Sequence, residues 1–321
     1  MKLGIDFPLP PGCTPVSDAP LVLILLATYN GERFLSEQLH SIEAQTYKNW
    51  ALYVSDDQSQ DGTTDKLLEF QSRHPDRCTI RQHTRGNSFA QNFMSMVFRC
   101  PVEADYYAFC DQDDIWASEK LERALTALKT IPSGKPVLYC GRTKLVNAEN
   151  QPIGYSPKHK KAPSFKNALT QNIGGGNTMV FNKSTVDILR KVTDQNSTIA
   201  HDWWTYLTVT AVGGSVIYDP IPYVRYRQHK DNAIGHRVSN AKRLARIING
   251  AVKEVNDRNS SALMSVQPYM SSENRDLFEN YLSARRKTGL VKWKLLTSLR
   301  LYRQSRIGNI ALGAAILMNK F

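Results

Sequence analysis

The fold is decided by residues 21–45, "LVLILLATYNGERFLSEQLHSIEAQ". The first eight residues are almost all apolar, as in a strand that is buried on both faces of a sheet. After a turn at 29–31, the apolar residues Leu35, Leu39 and Ile42 recur at helical spacing. This strand-turn-helix unit predicts an α/β fold that is built by repeating the same unit.

Four further strands are predicted along the first half of the chain. Apolar runs indicate strands at 50–57, 78–83, 105–110 and 136–141. Helical patterns fill the segments between them, and the helix after the second strand is expected to be capped near Asp61 or Thr63. Strands that alternate with helices predict a mostly parallel, Rossmann-like sheet flanked by helices. Polar residues at the strand ends would then lie at the ligand-binding edge of the sheet.

The second half of the chain is less regular. Residues 150–165 are rich in Pro and Lys and are predicted to form a loop, and 215–229 are predicted to form two short strands around a proline-containing turn. After residue 240 the pattern is helical throughout. We therefore expect a flexible N-terminal segment (1–19), a catalytic domain (20–235) and a helical basic C-terminal region (236–321).

The positive charge of the chain is concentrated in its last part. Residues 235–321 carry 16 Lys and Arg against 5 Asp and Glu, so they supply +11 of the net charge of +12. Two regions with different partners are therefore expected. The five cysteines show no metal-binding spacing, and the start of the chain lacks the apolar core of a secretion signal. No stretch reaches the roughly 18–20 apolar residues of a membrane span, and a cytoplasmic protein is expected.

An acidic cluster follows the fourth predicted strand in "CDQDDIW" (110–116). Asp111, Asp113 and Asp114 are close enough to repel one another, so the cluster must be solvated, cap a helix or hold a cation. A helix starting near 115–117 would explain one acid, but it would not explain all three. A D-x-D at a strand end suits Mg²⁺, which binds one or two carboxylates together with substrate phosphates.

Glycine-rich phosphate loops are missing where they would be expected. The sequence has no G-x-x-x-x-G-K-[ST] and no G-x-G-x-x-G after its first strand. The stretch "GGGNT" (174–178) comes late and precedes a strand, so it is either a tight turn or a place where the backbone approaches a substrate closely. A nucleotide whose phosphates are held by a metal fits these absences.

A set of motifs in a fixed order resembles family-two glycosyltransferases of the GT-A fold, and within that family the bacterial rhamnosyltransferase-type members most. The resemblance covers roughly residues 20–235 and rests on "LLATYNG", "VSDDQSQDGT", "NSFAQNF", "FCDQDDIW", "GGGNTMVFN", "HDWW" and "YRQHKDN". Each piece alone is weak, whereas the ordered set is specific.

The resemblance implies an inverting glycosyltransferase that depends on a divalent cation, Mg²⁺ or Mn²⁺. Its donor would be a nucleotide-diphosphate sugar, dTDP-rhamnose or a UDP-sugar, with rhamnose favoured as the transferred sugar. Its acceptor would be a saccharide or lipid-linked saccharide in bacterial surface polysaccharide synthesis. Two alternatives are a sugar nucleotidyltransferase, disfavoured by the missing glycine-rich loop, and a non-catalytic, membrane-associated sugar-nucleotide binding protein.

The resemblance also implies roles for individual residues at the donor site. The nucleobase pocket would be lined by Thr28, Tyr29, Asp57 and Asp56, with Tyr29 stacking on the base and Asp57 accepting from its ring N–H. Further contacts to the donor would come from Arg85 and Asn92. The metal and the diphosphate would be bound by Asp111, Asp113 and His229, with Asp111 alternatively on the ribose, while Asp114 would face the sugar or the acceptor.

Asp202 in "HDWW" matches the general base of the family. The alternative is an acid in the first turn of a helix, which the helix dipole favours. His201 stands where many relatives have an acid, so the resemblance leaves its role open. Trp203 and Trp204 are either stacking platforms for acceptor sugars or a buried aromatic pair.

The basic C-terminal stretch has the composition of an interfacial helix. After Glu279 the sequence contains no acid, and Val291, Leu295 and Leu299 recur at helical spacing among lysines and arginines. Such a helix would bind anionic lipid, and residues 285–321 would then place the protein at the inner face of the cell membrane. The alternative is a core-packing helix with a solvated basic face. Nucleic-acid binding is not expected, because no recognition motif accompanies the charge.

Overall fold

The computed structural model describes residues 19–82, 88–192, 200–229 and 251–321. The strands of its first half are β1 (Val22–Thr28), β2 (Trp50–Asp56), β3 (Cys78–Gln82), β4 (Tyr106–Asp111), β5 (Ile115–Trp116) and β6 (Val137–Val146). The helices between them are α1 (Glu32–Glu43), α2 (Thr63–Arg73), α3 (Phe89–Arg99) and α4 (Lys120–Leu128). The five predicted strands are all present, with β6 extending five residues beyond its predicted end.

The second half adds three strands and three helices before residue 229. They are β7 (Pro152–Tyr155), α5 (Phe165–Ala168), β8 (Val180–Asn182), α6 (Lys183–Val192), α7 (His201–Ala211) and β9 (Ser215–Arg227). The described part of the C-terminal region is helical, with α8 (Ala251–Leu263), α9 (Ser272–Arg285), α10 (Gly289–Ser298) and α11 (Arg306–Leu317).

The nine described strands form one sheet in the order β3-β2-β1-β4-β8-β6-β9-β5, with β7 paired to β6. The strands β3, β2, β1 and β4 are parallel, β8 runs antiparallel to both of its neighbours, and β6 and β9 are again parallel. The predicted α/β sheet flanked by helices, followed by a helical C-terminal region, is confirmed. Parallel pairing dominates the half of the sheet that carries the predicted ligand edge.

The structure corrects two predictions for the second half. Residues 215–227 form one strand, β9, although its pairing with β6 falls in two stretches, 215–219 and 224–227, on either side of the proline-containing residues 220–223. At this register shift the Asp219 carboxylate accepts from the Ile221 N–H at 2.9 Å. The predicted loop at 150–165 contains β7, a short edge strand that pairs antiparallel with β6.

The helical C-terminal region shares its core with the sheet domain. Phe278 and Tyr281 of α9 belong to the same buried apolar cluster as Leu207 and Val209 of α7. The predicted segment 1–19 lies almost wholly outside the described residues, and the predicted boundary at 235/236 does so entirely. In the described part of the chain, no helix combines the length and the apolar character needed to span a bilayer.

A short strap (residues 301–304) fastens the C-terminal helices to the sheet domain. The Tyr302 carbonyl oxygen accepts from Asn167 Nδ2 at 3.0 Å and from Thr170 Oγ1 at 2.7 Å. Gln304 Nε2 donates to the Lys161 carbonyl at 3.0 Å, and its own N–H donates to Gln171 Oε1 at 3.0 Å. The strap therefore runs along residues 161–171, directly before the glycine-rich stretch.

Candidate active site

The parallel strands bring the predicted residues to one edge of the sheet. Thr28 pairs with Asp56 at the ends of β1 and β2, and Ala27 pairs with Asp111 at the end of β4. The acidic cluster and the predicted nucleobase residues therefore end at the same level on adjacent strands. The carboxyl edge of a parallel sheet is where such folds bind ligands.

Asp56 is a structural carboxylate on the nucleobase side of this edge. It is 1% exposed, and its Oδ1 accepts from Thr28 Oγ1 at 2.7 Å and from Ser59 Oγ at 2.6 Å. Its Oδ2 accepts from the Ser59 N–H at 2.9 Å. Thr28 and Asp56 thus bind each other and the next loop. The predicted contact with a nucleobase is better placed for the half-buried Asp57.

Tyr29 presents its ring at the same edge and is 44% exposed, as a stacking platform requires. Its backbone is held by Gln112, which accepts from the Tyr29 N–H at 2.8 Å and donates to the Tyr29 carbonyl at 2.9 Å. A Cβ on Gly31 would collide with the Gln112 side-chain oxygen, so glycine leaves the space for this clamp. Sequence reasoning missed Gln112, and its position between acids of the cluster was the only available signal.

Asn92 has a structural contact at the end of β2. It is buried, and its Nδ2 donates to the Ser55 carbonyl at 3.1 Å. Asn92 is therefore better placed to hold the end of β2 than to contact a donor. Arg85, the other predicted donor contact, lies outside the described residues.

Asp111 has a carboxyl group whose ionised form is disfavoured by its surroundings. Its Oδ1 is buried, and no hydrogen-bond donor among the described residues reaches it. Burial raises the pKa of Asp111 well above its usual range, and the nearby carboxylates of Asp113 and Asp202 raise it further. A cation at this position would relieve both effects.

Asp113 is paired with the predicted late residue of the site. His229 Nε2 and Asp113 Oδ2 lie 2.7 Å apart, although 116 positions separate the two residues. The buried Arg227 supports this pair, because its Nε donates to the Asp113 carbonyl at 2.9 Å and its guanidinium lies 4.5 Å from the Phe34 ring centroid. The end of β9 therefore holds the acidic cluster in place.

Asp114 is buried and is bound by other residues of the chain. It is 0% exposed, and its carboxylate accepts from Asn177 Nδ2 at 2.5 Å and from the Arg227 N–H at 3.1 Å. The alternative that it caps a helix is wrong, because β5 intervenes and α4 begins only at Lys120. Both carboxylate oxygens are engaged by the chain itself, which disfavours the predicted contact with the sugar or acceptor.

A buried lysine lies next to the acidic cluster. Lys120 is 1% exposed, and its ammonium nitrogen lies 3.4 Å from the centroid of the Trp116 ring. Burial lowers the pKa of Lys120 to about 7, while Cys110 and Asp114 act in the opposite direction. No sequence pattern indicates that Lys120 is buried, because a lysine at the start of a helix is normally solvated.

The donor atoms at this edge suit a divalent cation by type. Carboxylate oxygens are the preferred ligands of Mg²⁺ and Mn²⁺, and an imidazole nitrogen is acceptable to Mn²⁺. Within the described ranges, however, no three His, Cys, Asp or Glu side chains are grouped as a metal site. Asp113 and His229 bind each other, and a cation shared with Asp111 would have to replace that hydrogen bond.

Asp202 lies in the first turn of α7 and close enough to Asp111 to affect its pKa. Its Oδ1 accepts from the Trp203 N–H at 2.6 Å. Burial raises the pKa of Asp202 to about 6, and hydrogen bonds from Trp203, Asn172 and Gly176 oppose that rise. A carboxyl group with this pKa is ionised at neutral pH and remains basic enough to accept a proton.

The neighbours of Asp202 in "HDWW" are packed into the domain. Trp204 is buried, and Trp203 is half-buried with its Nε1 donating to the Ala168 carbonyl at 2.8 Å. The buried-pair alternative therefore holds for Trp204. His201 is also buried, and its ring stacks on Phe93 with 4.2 Å between centroids.

Residues 23–192 match the domain family described as "Glycosyl transferase family 2". The chain belongs to this family. The match spans the edge from β1 to α6 and thus contains the acidic cluster and the nucleobase side. The resemblance inferred from the ordered motifs is confirmed.

Two curated relatives show the range of family members that the chain is similar to. It is 31% identical over 229 residues to the dTDP-rhamnosyl transferase RfbG of Shigella flexneri, covering 67% of this chain and 75% of RfbG. It is 35% identical over 111 residues to an Escherichia coli protein, WfgD, covering 35% of this chain and 42% of WfgD. That protein is named as a UDP-Glc:alpha-D-GlcNAc-diphosphoundecaprenol beta-1,3-glucosyltransferase.

Solved structures support the fold. The structure of residues 1–349 of Staphylococcus aureus TarS in complex with UDP-GlcNAc aligns with a TM-score of 0.55 at 12% identity. The alignment covers 93% of this chain and 88% of the TarS chain. At this identity the likeness shows the GT-A fold, including the helical C-terminal region.

Proposed function

We propose that this glycosyltransferase moves a sugar, with rhamnose favoured, from a nucleotide-diphosphate donor to a saccharide or lipid-linked saccharide acceptor, with inversion at the anomeric carbon. The reaction would serve bacterial surface polysaccharide synthesis. One observation carries the proposal. The Asp202 carboxyl, whose pKa burial raises to about 6, lies in the first turn of α7 close enough to the strand-end acid Asp111 to raise the pKa of Asp111. The likeness to RfbG supports rhamnose as the sugar.

In this mechanism Asp202 takes the proton of the acceptor hydroxyl. The new bond from the acceptor oxygen to the anomeric carbon forms as the bond from that carbon to the diphosphate oxygen breaks. The electron pair of the broken bond leaves with the diphosphate. A general base of this kind contributes typically about 10²–10⁴-fold to the rate. Above pH 6 the Asp202 carboxylate is ionised and ready for this step.

The donor would bind along the edge formed by β1, β2 and β4. Tyr29 would stack on the nucleobase, and Asp57 would accept from its ring N–H, while Thr28, Asp56 and Asn92 keep the loops in position. Asp111, Asp113 and His229 would hold Mg²⁺ or Mn²⁺, which would neutralise charge on the departing diphosphate. Arg85 would add a further contact to the donor, while Asp114, bound by Asn177 and Arg227, would support the site without touching the sugar.

The test is turnover of a donor panel by the purified full chain. dTDP-rhamnose and UDP-hexoses are supplied with Mg²⁺, with Mn²⁺ or with EDTA, and nucleoside diphosphate release is measured. We expect release from one donor that depends on the divalent cation, and a product whose anomeric configuration by NMR is opposite to that of the donor. Retained configuration would contradict the inverting mechanism.

Asp202→Asn tests the base. The variant keeps the size of the side chain, and we expect kcat to fall about 10²–10⁴-fold with little change in donor affinity. Full activity of the variant would remove Asp202 as the base. A protein that binds nucleotide but never consumes a donor would favour the non-catalytic alternative, and formation of a nucleotide sugar from a sugar phosphate would favour the nucleotidyltransferase.

We further propose that the outer faces of α10 and α11 bind the cytoplasmic face of an anionic membrane. Half of the fourteen exposed large apolar side chains in the described ranges lie on these helices or directly after them. They are Leu290, Val291, Leu295, Ile307, Ile310, Leu317 and Met318. The opposite faces dock on the protein, since Leu296, Leu312 and Ile316 are buried.

The positive charge around this apolar surface favours an anionic membrane as its partner. The exposed residues Lys294 and Arg306 lie on these helices and the exposed Lys287 and Arg300 flank α10, while the sequence after Glu279 holds no acid. Each basic residue near an anionic bilayer contributes about 1 kcal/mol to binding, and inserted apolar side chains add to this. In this proposal one face of these helices packs on the core and the other binds lipid.

Vesicle co-sedimentation tests the surface. The full chain is mixed with phosphatidylcholine vesicles with and without phosphatidylglycerol, and we expect binding only to the anionic vesicles, weakened by salt. Ile307→Glu with Ile310→Glu changes two side chains that are 71% and 73% exposed and should abolish binding. Leu68→Glu, at a 50% exposed position on α2, is the matched control and should bind normally. Equal binding of both variants would contradict the proposal.

A further inference from the structure

We propose that the glycine-rich turn at 172–178 positions the Asp202 carboxylate, with Asn172 and Gly176 holding it and the His201 ring setting where Gly176 lies. This proposal rests on the proposed base role of Asp202. It gives the turn a function other than contact with substrate. It also gives a role to His201, which the family resemblance left open: the His201 ring limits how closely Gly176 approaches α7.

Two segments contact or stabilise the Asp202 carboxyl. One is the start of α7, where the Trp203 N–H donates to Oδ1 at 2.6 Å. The other is the glycine-rich turn, where the Asn172 side chain and the Gly176 backbone favour the ionised carboxylate and so lower the pKa of Asp202. The turn is itself closed by Asn172, whose Oδ1 accepts from the Gly174 N–H at 3.4 Å.

His201 is a buried histidine in an aromatic cage. It is 4% exposed, stacks on Phe93 with an interplanar angle of 18°, and meets Phe109 edge-on at 4.9 Å between centroids. Burial lowers its pKa to about 3, so the ring is neutral. Its Nε2 has no hydrogen-bond partner within the described ranges. A buried polar atom without a partner costs about 1–3 kcal/mol, so the ring is held there by something other than hydrogen bonding.

The His201 ring is pressed against Gly176. A Cβ built on Gly176 would fall inside the ring's contact distance, with Nε2 the nearest atom. Gly176 is not among the residues with positive φ, so glycine is required here for space and not for backbone conformation. The contact therefore limits how closely the turn approaches the first turn of α7, which carries Asp202 next to His201.

The far end of the same turn is tied to the acidic cluster and the sheet. Asn177 Nδ2 donates to Asp114 Oδ2 at 2.5 Å, and Thr178 Oγ1 accepts from the Gly141 N–H at 3.1 Å. A single rigid turn thus contacts the base at one end and the acidic cluster at the other. This arrangement fixes the separation between Asp202 and the strand-end acids, which an in-line displacement requires.

The experiment combines suppression with kinetics on the full chain, using the donor that is turned over in the panel above. Gly176→Ala is expected to lower kcat at least tenfold with donor KM changed less than about threefold, because small misplacement of a catalytic group costs up to about 10²-fold. In Gly176→Ala with His201→Ala the ring is absent, and we expect kcat to be at least threefold higher than in Gly176→Ala alone. Gly313→Ala, where a Cβ meets nothing within 4 Å, is the control and should match the parent.

Asn172→Ala supplies a second readout that does not depend on the buried cage. Loss of a hydrogen bond to the ionised carboxylate raises the pKa of Asp202, so the acid limb of the kcat profile should move to higher pH. A role in stability alone would lower the thermal midpoint without moving this limb. We therefore measure both quantities for each variant.

Three outcomes separate the possibilities. Rescue by the double variant together with a shifted acid limb supports the proposal. Additive losses in the double variant, or an unmoved acid limb in Asn172→Ala while Asp202→Asn is inactive, would overturn the positioning role and leave the base role intact. Full activity of Asp202→Asn would overturn both.

Discussion

The two sides of the proposed binding edge differ in how their polar groups are bonded. The loops on the proposed nucleobase side bind each other, whereas the acidic side keeps a carboxylate oxygen without a donor in the described ranges. On the nucleobase side, the loops after β1 and β2 bind each other reciprocally. The Asn30 N–H donates to Ser59 Oγ at 2.9 Å, and Asn30 Oδ1 accepts from the Gln60 N–H at 2.8 Å. On the acid side, Asp111 keeps an oxygen without a donor in the described ranges, and the pKa of both Asp111 and Asp202 is raised.

In the proposed mechanism this difference separates a supporting frame from the reaction centre. Loops that are hydrogen-bonded to each other are ordered before any ligand arrives, so binding costs little ordering. Carboxylates that are buried near each other cost folding free energy, which a bound cation or a transferred proton can relieve. Substitutions on the two sides should therefore affect stability and activity in different ways.

The largest expected effect is the pH dependence of turnover. Asp202 must be ionised to act as a base, and its pKa is raised to about 6. We expect kcat/KM to fall about tenfold for each pH unit below 6, and to be level just above it. Initial rates from about pH 4.5 to 8 check this, with protein stability measured at each pH. A limb near pH 4 would mean that burial does not perturb the base.

Asp56→Ala should be the most destabilising change in the frame. It removes the acceptor of Thr28 Oγ1, Ser59 Oγ and the Ser59 N–H at a site that is 1% exposed. Buried donors left without an acceptor cost about 1–3 kcal/mol, and we expect the free energy of unfolding to fall by about 2–3 kcal/mol. Urea denaturation measures it, and a loss below about 0.5 kcal/mol would show that water replaces the carboxylate.

Asp111→Asn should have the opposite sign. The amide keeps the size of the side chain and removes a buried charge next to Asp113 and Asp202. We expect the free energy of unfolding to rise by about 1 kcal/mol in the presence of EDTA, while turnover is lost. Urea denaturation alongside Asp56→Ala gives the direct comparison. Destabilisation by Asp111→Asn would place Asp111 in the frame and not in the reaction centre.

Gly31→Ala should have the smallest effect. Its methyl group would displace the Gln112 amide from the Tyr29 backbone, where the two hydrogen bonds measure 2.8 and 2.9 Å. Loss of about 1 kcal/mol of positioning would raise the donor KM roughly fivefold, with kcat little changed. Steady-state kinetics beside Gly313→Ala measures the difference. An unchanged KM would mean that the Tyr29 ring does not contact the donor.

Most of the fold could be predicted from local patterns. Buried parallel strands are continuous apolar runs, so β1, β2 and β4 and their common edge could be predicted from residues 21–28, 50–57 and 105–110. The continuity of β9 could not, because a proline normally ends a strand, so the sequence predicts its two paired stretches as separate strands.

The sequence predicts which residues come together at the candidate site, but it does not predict what each of them contacts. Asp56 and Asp57 are adjacent in the sequence, yet only the fold shows that Asp56 is bound by Thr28 and Ser59. Asp114 likewise has partners 63 and 113 positions away. Side-chain pairs at such separation leave no local pattern, and this is also why Gln112 and Asn172 were missed.

The contact between Gly176 and His201 also constrains how the sequence is able to change over generations. A larger residue at 176 is tolerated only when the residue at 201 becomes smaller, so the two positions should vary together among descendants of this chain. Under the positioning role proposed above, a larger residue at 176 alone would displace the base. Lineages that keep the activity should therefore keep both residues or exchange them as a pair.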